Sequence, residues 1–198
     1  NEFYCVPDVE ICRGKDWNKG KSAHLVLLAA DNKGWANILQ LTAKSNLLGF
    51  YYEPRIDYPM LREHSEGVWC LTACLGGFVA KALKSEHSPM LAAHAAVDIL
   101  HEIFGERLSL ELQVNGIPNQ TRLNNALIEI HKSTKIPLVV TIDAHYLDKV
   151  DSSKQDVLFA MQLGKGLDDP DRHKLPPFEH SVETPDEAIS RFTKAFGA

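Results

Sequence analysis

The chain has 198 residues, 44% of them hydrophobic, with 21 Lys and Arg against 26 Asp and Glu for a formal net charge of −5. That length suits one core, or one core with an appendage, and an acidic balance without a Lys/Arg block argues against non-specific duplex binding by this segment alone, while leaving room for local basic patches. No run approaches about 18 apolar residues and no leader pattern is present, so neither a membrane span nor a signal peptide is expected, and a cytoplasmic protein is.

Cys5, Cys12, Cys70 and Cys74 match neither a C-x-x-C pair nor a zinc ribbon. Free thiols are therefore expected rather than a disulfide framework, with one of them available to a metal. The opening NEFYC lacks a methionine, which points to a fragment or a processed product.

In chain order, SAHLVLLAAD (22–31) predicts a short strand ending at Asp31, a cap for the helix that follows. In GWANILQLTAKSNLLG, Trp35, Ile38, Leu39 and Thr42 recur at helical spacing and Gly49 is a stop. GVWCLTACLGG places Val68, Cys70, Thr72 and Cys74 on one side of a strand, with Cys74 at its end, before a Gly-Gly turn and a helix near 78–84. HSPMLAAHAAVDILHEIFG opens on Ser88 and Pro89 as cap and first turn and carries Met90, Val97, Leu100 and Phe104 on one stripe. RLSLELQVNG alternates Leu108, Leu110, Leu112 and Val114 against Ser109, Glu111 and Gln113, as a strand does, and a helix over about 120–132 follows. The run ending in TIDAHYL (141–147) is the next strand, and along it Asp143 and His145 point to one side. GKGLDDPDRHKLPPFEH is a polar connector or flap, and Thr184, Pro185 and Glu187 start a last helix with a capping box. Repeated strand-helix units imply a parallel sheet or barrel whose site lies at the strand ends.

Asp143 and His145 offer an oxygen and an imidazole nitrogen. Cys74 adds a thiolate, His24 another imidazole and Glu2 a second carboxylate, each beside an apolar segment. Such a mixed set suits zinc, iron or manganese better than magnesium, which prefers oxygen. Several metals in one cleft would polarise a phosphoryl oxygen and activate water, so the implied reaction is phosphoester hydrolysis. Each residue also has a plainer reading: His24 as a hydrogen bonder in a strand, Cys74 as a small buried hydrophobe, Glu2 at a frayed terminus. His87, His94 and His101, spaced by seven, read as the edge of an amphipathic helix. His64 reads as a loop residue, and His131, His173 and His180 carry no signal.

The stretches HLVLLAADNKGWANILQLTAKSNLLGFYYEPRIDYPMLREHSEGVWCLTACLGG and ELQVNGIPNQTRLNNALIEIHKSTKIPLVVTIDAHYLDKVDSSKQDVLFAMQLGK, and more weakly NEFYCVPD, resemble the polymerase-and-histidinol-phosphatase (PHP) domain at the amino terminus of bacterial DNA polymerase III alpha subunits. GFYYEPRID and TIDAHYL are specific to the polymerase branch. The resemblance implies an α/β fold, a distorted (β/α)7 TIM-like barrel over residues 1–165, with 166–198 as connector and helix leading towards a polymerase palm beyond residue 198. It implies up to three divalent ions, zinc first and manganese or iron as alternatives, held by Glu2, His24, Cys74, Asp143 and His145. Asp143 and His145 would be the catalytic pair. The family's H-x-H strand has no counterpart before Glu2, so the amino-terminal strands are expected to be missing from this stretch. The implied activity is 3'-to-5' exonuclease chemistry in a replicative polymerase, with the DNA 3' end and other replisome subunits as partners. A metal-braced scaffold and a free-standing small-molecule phosphatase, such as a histidinol phosphatase, are the alternatives. Arg55, in YYEPRID, is expected to steer a phosphate by bidentate contact, or else to form an exposed ion pair. Tyr51 and Tyr52 are expected to be buried against the barrel rather than stacked on a base.

Overall fold

A computed structural model describes residues 1–13, 22–85, 87–172, 174 and 180–197. In chain order the elements are β1 (Glu2–Val6), β2 (Ala23–Ala29), α1 (Asn32–Leu47), β3 (Arg55–Asp57), α2 (Tyr58–Glu63), β4 (Val68–Leu71), α3 (Phe78–Ala82), α4 (Pro89–Phe104), β5 (Leu108–Gln113), α5 (Pro118–Thr134), β6 (Leu138–Thr141), α6 (Ser152–Leu163) and α7 (Pro185–Phe196). No helix among the described residues is long and apolar enough to cross a membrane.

The strands form one mixed sheet in the order β3-β1-β2-β4-β5-β6. β1 pairs antiparallel with β2, and β2 antiparallel with β4, while β1–β3 and β4–β5 are parallel. The purely parallel, closed sheet expected from the sequence is thus corrected to an open α/β sheet among the described residues. The reversed strand is β2, antiparallel to both its neighbours, β1 and β4, and the irregularity begins at β1, which reads in the sequence as a frayed end. It is a strand followed by a strand, with no α-helix described between them, so the alternation that implies parallel crossovers fails there.

One face of this sheet is apolar. Phe3, Cys5, Ala23, Leu25, Leu27, Cys70, Leu108 and Leu110 are all buried, and each large aliphatic contributes about 1.5–3 kcal/mol by leaving water. β5 departs from simple alternation, because Ser109, Glu111 and Gln113 are buried as completely as the leucines between them. Both faces of that strand are covered.

The chain clusters into two compact units, Asn1–Glu111 with Asn125–Val139, and Leu112–Asn124 with Val140–Ala198. In the first, Asp31 caps α1 by accepting from Gly34 N at 2.7 Å, as expected. The buried face of α1 is Gly34, Asn37, Ile38, Leu41 and Ser45, whereas Trp35 is 58% and Leu39 51% exposed. The expected Trp35–Leu39 stripe is therefore rotated. Close approach, not apolar bulk, sets the docking face: a Cβ on Gly34 would sit 1.7 Å from the Gly67 carbonyl oxygen, so only glycine fits.

Asp57 closes β3 and starts α2 by accepting from Met60 N at 2.9 Å and from Val9 N at 3.1 Å. Beside it, Arg55 is 1% exposed, donates to the carbonyls of Gly49 and Cys12, and lies over the Tyr51 ring at 5.2 Å. Arg55 is therefore a buried brace and not a surface group reaching for phosphate, and Tyr52, expected to be buried, is 72% exposed. In α4, Val97, Leu100 and Phe104 are buried as expected, but Met90 is 38% exposed, and Ser88 is left-handed and caps nothing with its side chain.

In the second unit, Arg172 grips Asp156 of α6 through two nitrogens at 2.6 and 2.5 Å and donates to Leu167 O, tying the polar connector down. Of the rest of the expected flap, His173 and residues 175–179 lie outside the described residues. α7 opens with the expected capping box, Thr184 and Glu187 each accepting from the other's backbone.

Asp57→Ala leaves two buried N–H donors without their acceptor and should destabilise the fold by about 1–3 kcal/mol. Trp35→Ala should stay within about 0.5 kcal/mol. Urea unfolding of both variants checks this, and a larger loss at Trp35 than at Asp57 would mean that the docking face of α1 is misassigned.

Candidate metal centres

The antiparallel register of β1 on β2 sets Tyr4 opposite His24 and Glu2 opposite Val26. Glu2, Tyr4 and His24 consequently share the face opposite the apolar one, and Glu2 is the diagonal neighbour of His24. Glu2 Oε1 lies 2.6 Å from His24 Nδ1. The Tyr4 ring meets the imidazole edge-on, with centroids 5.0 Å apart.

Cys74 reaches the same nitrogen from the loop after β4, its Sγ 3.9 Å from His24 Nδ1. The strand ends at Leu71, three residues earlier than expected, and Ala73 adopts φ 61. That left-handed residue breaks the alternation, so Cys74 leaves the side shared by Val68, Cys70 and Thr72. Gly76 completes the cradle. Its N–H points at Cys74 Sγ at 3.5 Å, its carbonyl accepts from His24 N at 2.9 Å, and a Cβ there would lie 2.9 Å from Nδ1. Any larger residue would push the imidazole aside.

Glu2, His24 and Cys74 bring one ligand atom each to within 4.8 Å of one another. The hydrogen bond to Cys74, then that to Glu2, pushes the His24 pKa up to about 10, with burial opposing. A proton thus sits where three donors converge, and oxygen, nitrogen and sulfur together fit zinc better than magnesium.

The second unit holds another group. Asp143, His145 and His180 also place one ligand atom each within 4.8 Å. β6 ends at Thr141 and Asp143 has φ 54, so Asp143 and His145 do not alternate along a strand as expected. They meet through a bend, His145 Nε2 lying 3.5 Å from Asp143 Oδ1. His180, which carried no signal in the sequence, holds this bend. Its carbonyl accepts from His145 N at 2.7 Å, and its Nδ1 lies 3.4 Å from the Asp143 carbonyl. A carbonyl only accepts, so Nδ1 carries the proton. The lone pair then falls on Nε2, a buried atom without a hydrogen-bond partner among the described residues, and His180 is 3% exposed. A buried acceptor lacking a donor fits a cation.

The five ligands expected from the sequence thus fall into two groups, one in each unit, with His180 added. Only the spacing between 145 and 180, read with a turn-rich connector, could have hinted at it. His87, His94 and His101 form no such group among the described residues.

Protein comparisons bear on these groups. A family model for the PHP domain matches residues 2–115. The chain is 38% identical over 183 residues to the DNA polymerase III subunit alpha of Thermus aquaticus, covering 92% of this chain and 15% of that one. Identity to the Aquifex aeolicus subunit is 42% over 144 residues, covering 73% and 12%, and to the Borreliella burgdorferi subunit 34% over 193 residues, covering 96% and 16%. The chain therefore spans about 15% of the length of the curated relatives it matches.

Because the His24 pKa is raised from its ordinary 6.5 to about 10, the ion pair stabilises the metal-free fold below about pH 6.5, and that contribution is lost as pH rises through about 10. An ion in this group must displace the proton. Zinc affinity at Glu2, His24 and Cys74 should therefore rise with pH, by about tenfold per unit for each proton the ligands release, the Cys74 thiol proton among them, up to about pH 10. Titration calorimetry in buffers of different ionisation enthalpy should register the proton released, whereas a pH-independent affinity would take His24 out of the ligand set.

Proposed function

Since the chain belongs to the PHP domain family and is homologous to DNA polymerase III alpha subunits, we propose that its two ligand groups hold divalent ions for phosphoester hydrolysis, excising the 3'-terminal nucleotide of DNA. The observation that carries this reading is the convergence of Glu2 and His24 with Cys74, fifty residues further along the chain. A buried core needs no such set. When bound, a divalent ion supplies Lewis-acid polarisation of a phosphoryl oxygen and a water of lowered pKa.

The chain's own residues supply orientation. Glu2 and Cys74 both meet the His24 ring at Nδ1, and Gly76 packs close to the same nitrogen, which restricts where it can sit. His180 pins the main chain around Asp143 and His145, the two residues on which excision should depend. Zinc is the ion the first group favours, with manganese or iron as alternatives.

The same reading extends to the parent protein. It is a replicative DNA polymerase of the cytoplasm, acting on the DNA 3' end with other replisome subunits. In it residues 1–165 belong to a distorted (β/α)7 barrel, and residues 166–198 lead on towards the polymerase palm. Homology to alpha subunits over 92% of this chain supports that extension.

In the full chain, Asp143→Asn should reduce excision of a mismatched 3' nucleotide by more than the about 10- to 100-fold that loss of a supporting residue costs a metal site. Correctly paired primer extension should continue. Gel analysis of labelled primers reads both. Undiminished excision, accompanied by a lower melting temperature, would instead mean that metal only braces a scaffold.

A further inference from the structure

Glu111 is a carboxylate 4% exposed in β5 and belongs to neither ligand group. The parallel register pairs Cys70 with Leu108 and Leu71 with Ser109. Continued for two more residues, it would bring Thr72 beside Leu110 and Ala73 beside Glu111. The ladder stops instead, and side chains take over its bonds. Glu111 N donates to Thr72 Oγ1 at 2.9 Å, and Ala73 N donates to Glu111 Oε2 at 3.0 Å, both among buried atoms.

This substitution of bonds decides where Cys74 points. Strand alternation would send Cys74 to the side of Cys70, which faces Leu27 in the apolar layer at 0% exposure. His24 lies on the opposite face, with Leu71 and Val26. The left-handed turn at Ala73, φ 61, is what carries the thiol across. A residue with a Cβ holds that conformation only when its surroundings fix it. Ala73 is itself 2% exposed, so its N–H needs an internal acceptor, and Glu111 supplies it.

We propose that Glu111 is the positioning residue for Cys74: its carboxylate holds the Ala73 turn that aims Sγ at His24. Glu111 touches no ion. It acts through the backbone, and the proposal rests on the reading that Glu2, His24 and Cys74 bind metal.

The test uses the full-length protein with cobalt in place of zinc, since thiolate-to-cobalt charge-transfer absorption reports a cysteine ligand; within residues 1–198 the other three thiols are buried, and loss of the band in Cys74→Ser assigns it to this group. Glu111→Ala should remove that absorption and weaken zinc binding at this group by about tenfold or more. Glu111→Gln, whose amide oxygen still accepts from Ala73 N, should keep both within about twofold. Adding Ala73→Gly to Glu111→Ala should restore most of the absorption, because glycine takes positive φ unaided. An unchanged band and affinity in folded Glu111→Ala overturns the proposal, as does an equal loss in Glu111→Gln. If Glu111→Ala does not fold, the Gln and double variants decide by the same readings. A native chain that binds cobalt without a thiolate band overturns the metal reading itself, and does so before any substitution is made.

Discussion

The pairing of β1 with β2 is the constraint from which the first ligand group follows. Phe3, Cys5, Leu25 and Leu27 must face the apolar layer, and a one-residue slip of β1 along β2 would turn Phe3 and Cys5 outwards. That cost locks the register. Once it is locked, Tyr4 stands opposite His24 and Glu2 on its diagonal, with no further adjustment needed to form the ion pair. The apolar face of the sheet therefore fixes the polar chemistry on the other.

The two groups share a device. Each has a non-glycine residue with positive φ just past a strand end, Ala73 after β4 and Asp143 after β6. Such residues cost about 1–3 kcal/mol of local strain and persist where other contacts over-determine them. At Ala73 the support is the Glu111 carboxylate, and at Asp143 it is the ring and carbonyl of His180. In both cases a residue distant along the chain holds a bend that local sequence would not choose.

The sequence made the periodic parts legible. β2, α1, α4, β5, α5 and α7 all fall close to where the sequence predicts them, and β4 does so apart from its early end at Leu71. What escaped has physical causes. β3 is three residues long, and β1 sits too near the start for a pattern to show. The docking face of α1 was misread because Gly34 and Ser45 gain contact by being small, which a hydrophobic stripe does not reveal. For the site, the ligand types were readable, but the reason they meet was not. Alternation placed Cys74 beside Cys70, and only the bend at Ala73 reverses it. Buried polar residues such as Arg55, Glu111 and His180 are invisible to a rule that treats charge as surface.

The cysteines end up in contrasting surroundings. Cys5, Cys12 and Cys70 are sealed inside, and burial raises the thiol pKa of Cys5 and of Cys70 well above the usual range. Cys74 alone is partly open to solvent. A thiol-directed reagent meeting the folded chain thus finds one accessible cysteine, and damage there would strike a ligand first while the buried thiols stayed untouched. The folded chain exposes to redox chemistry the one sulfur it has placed among ligands.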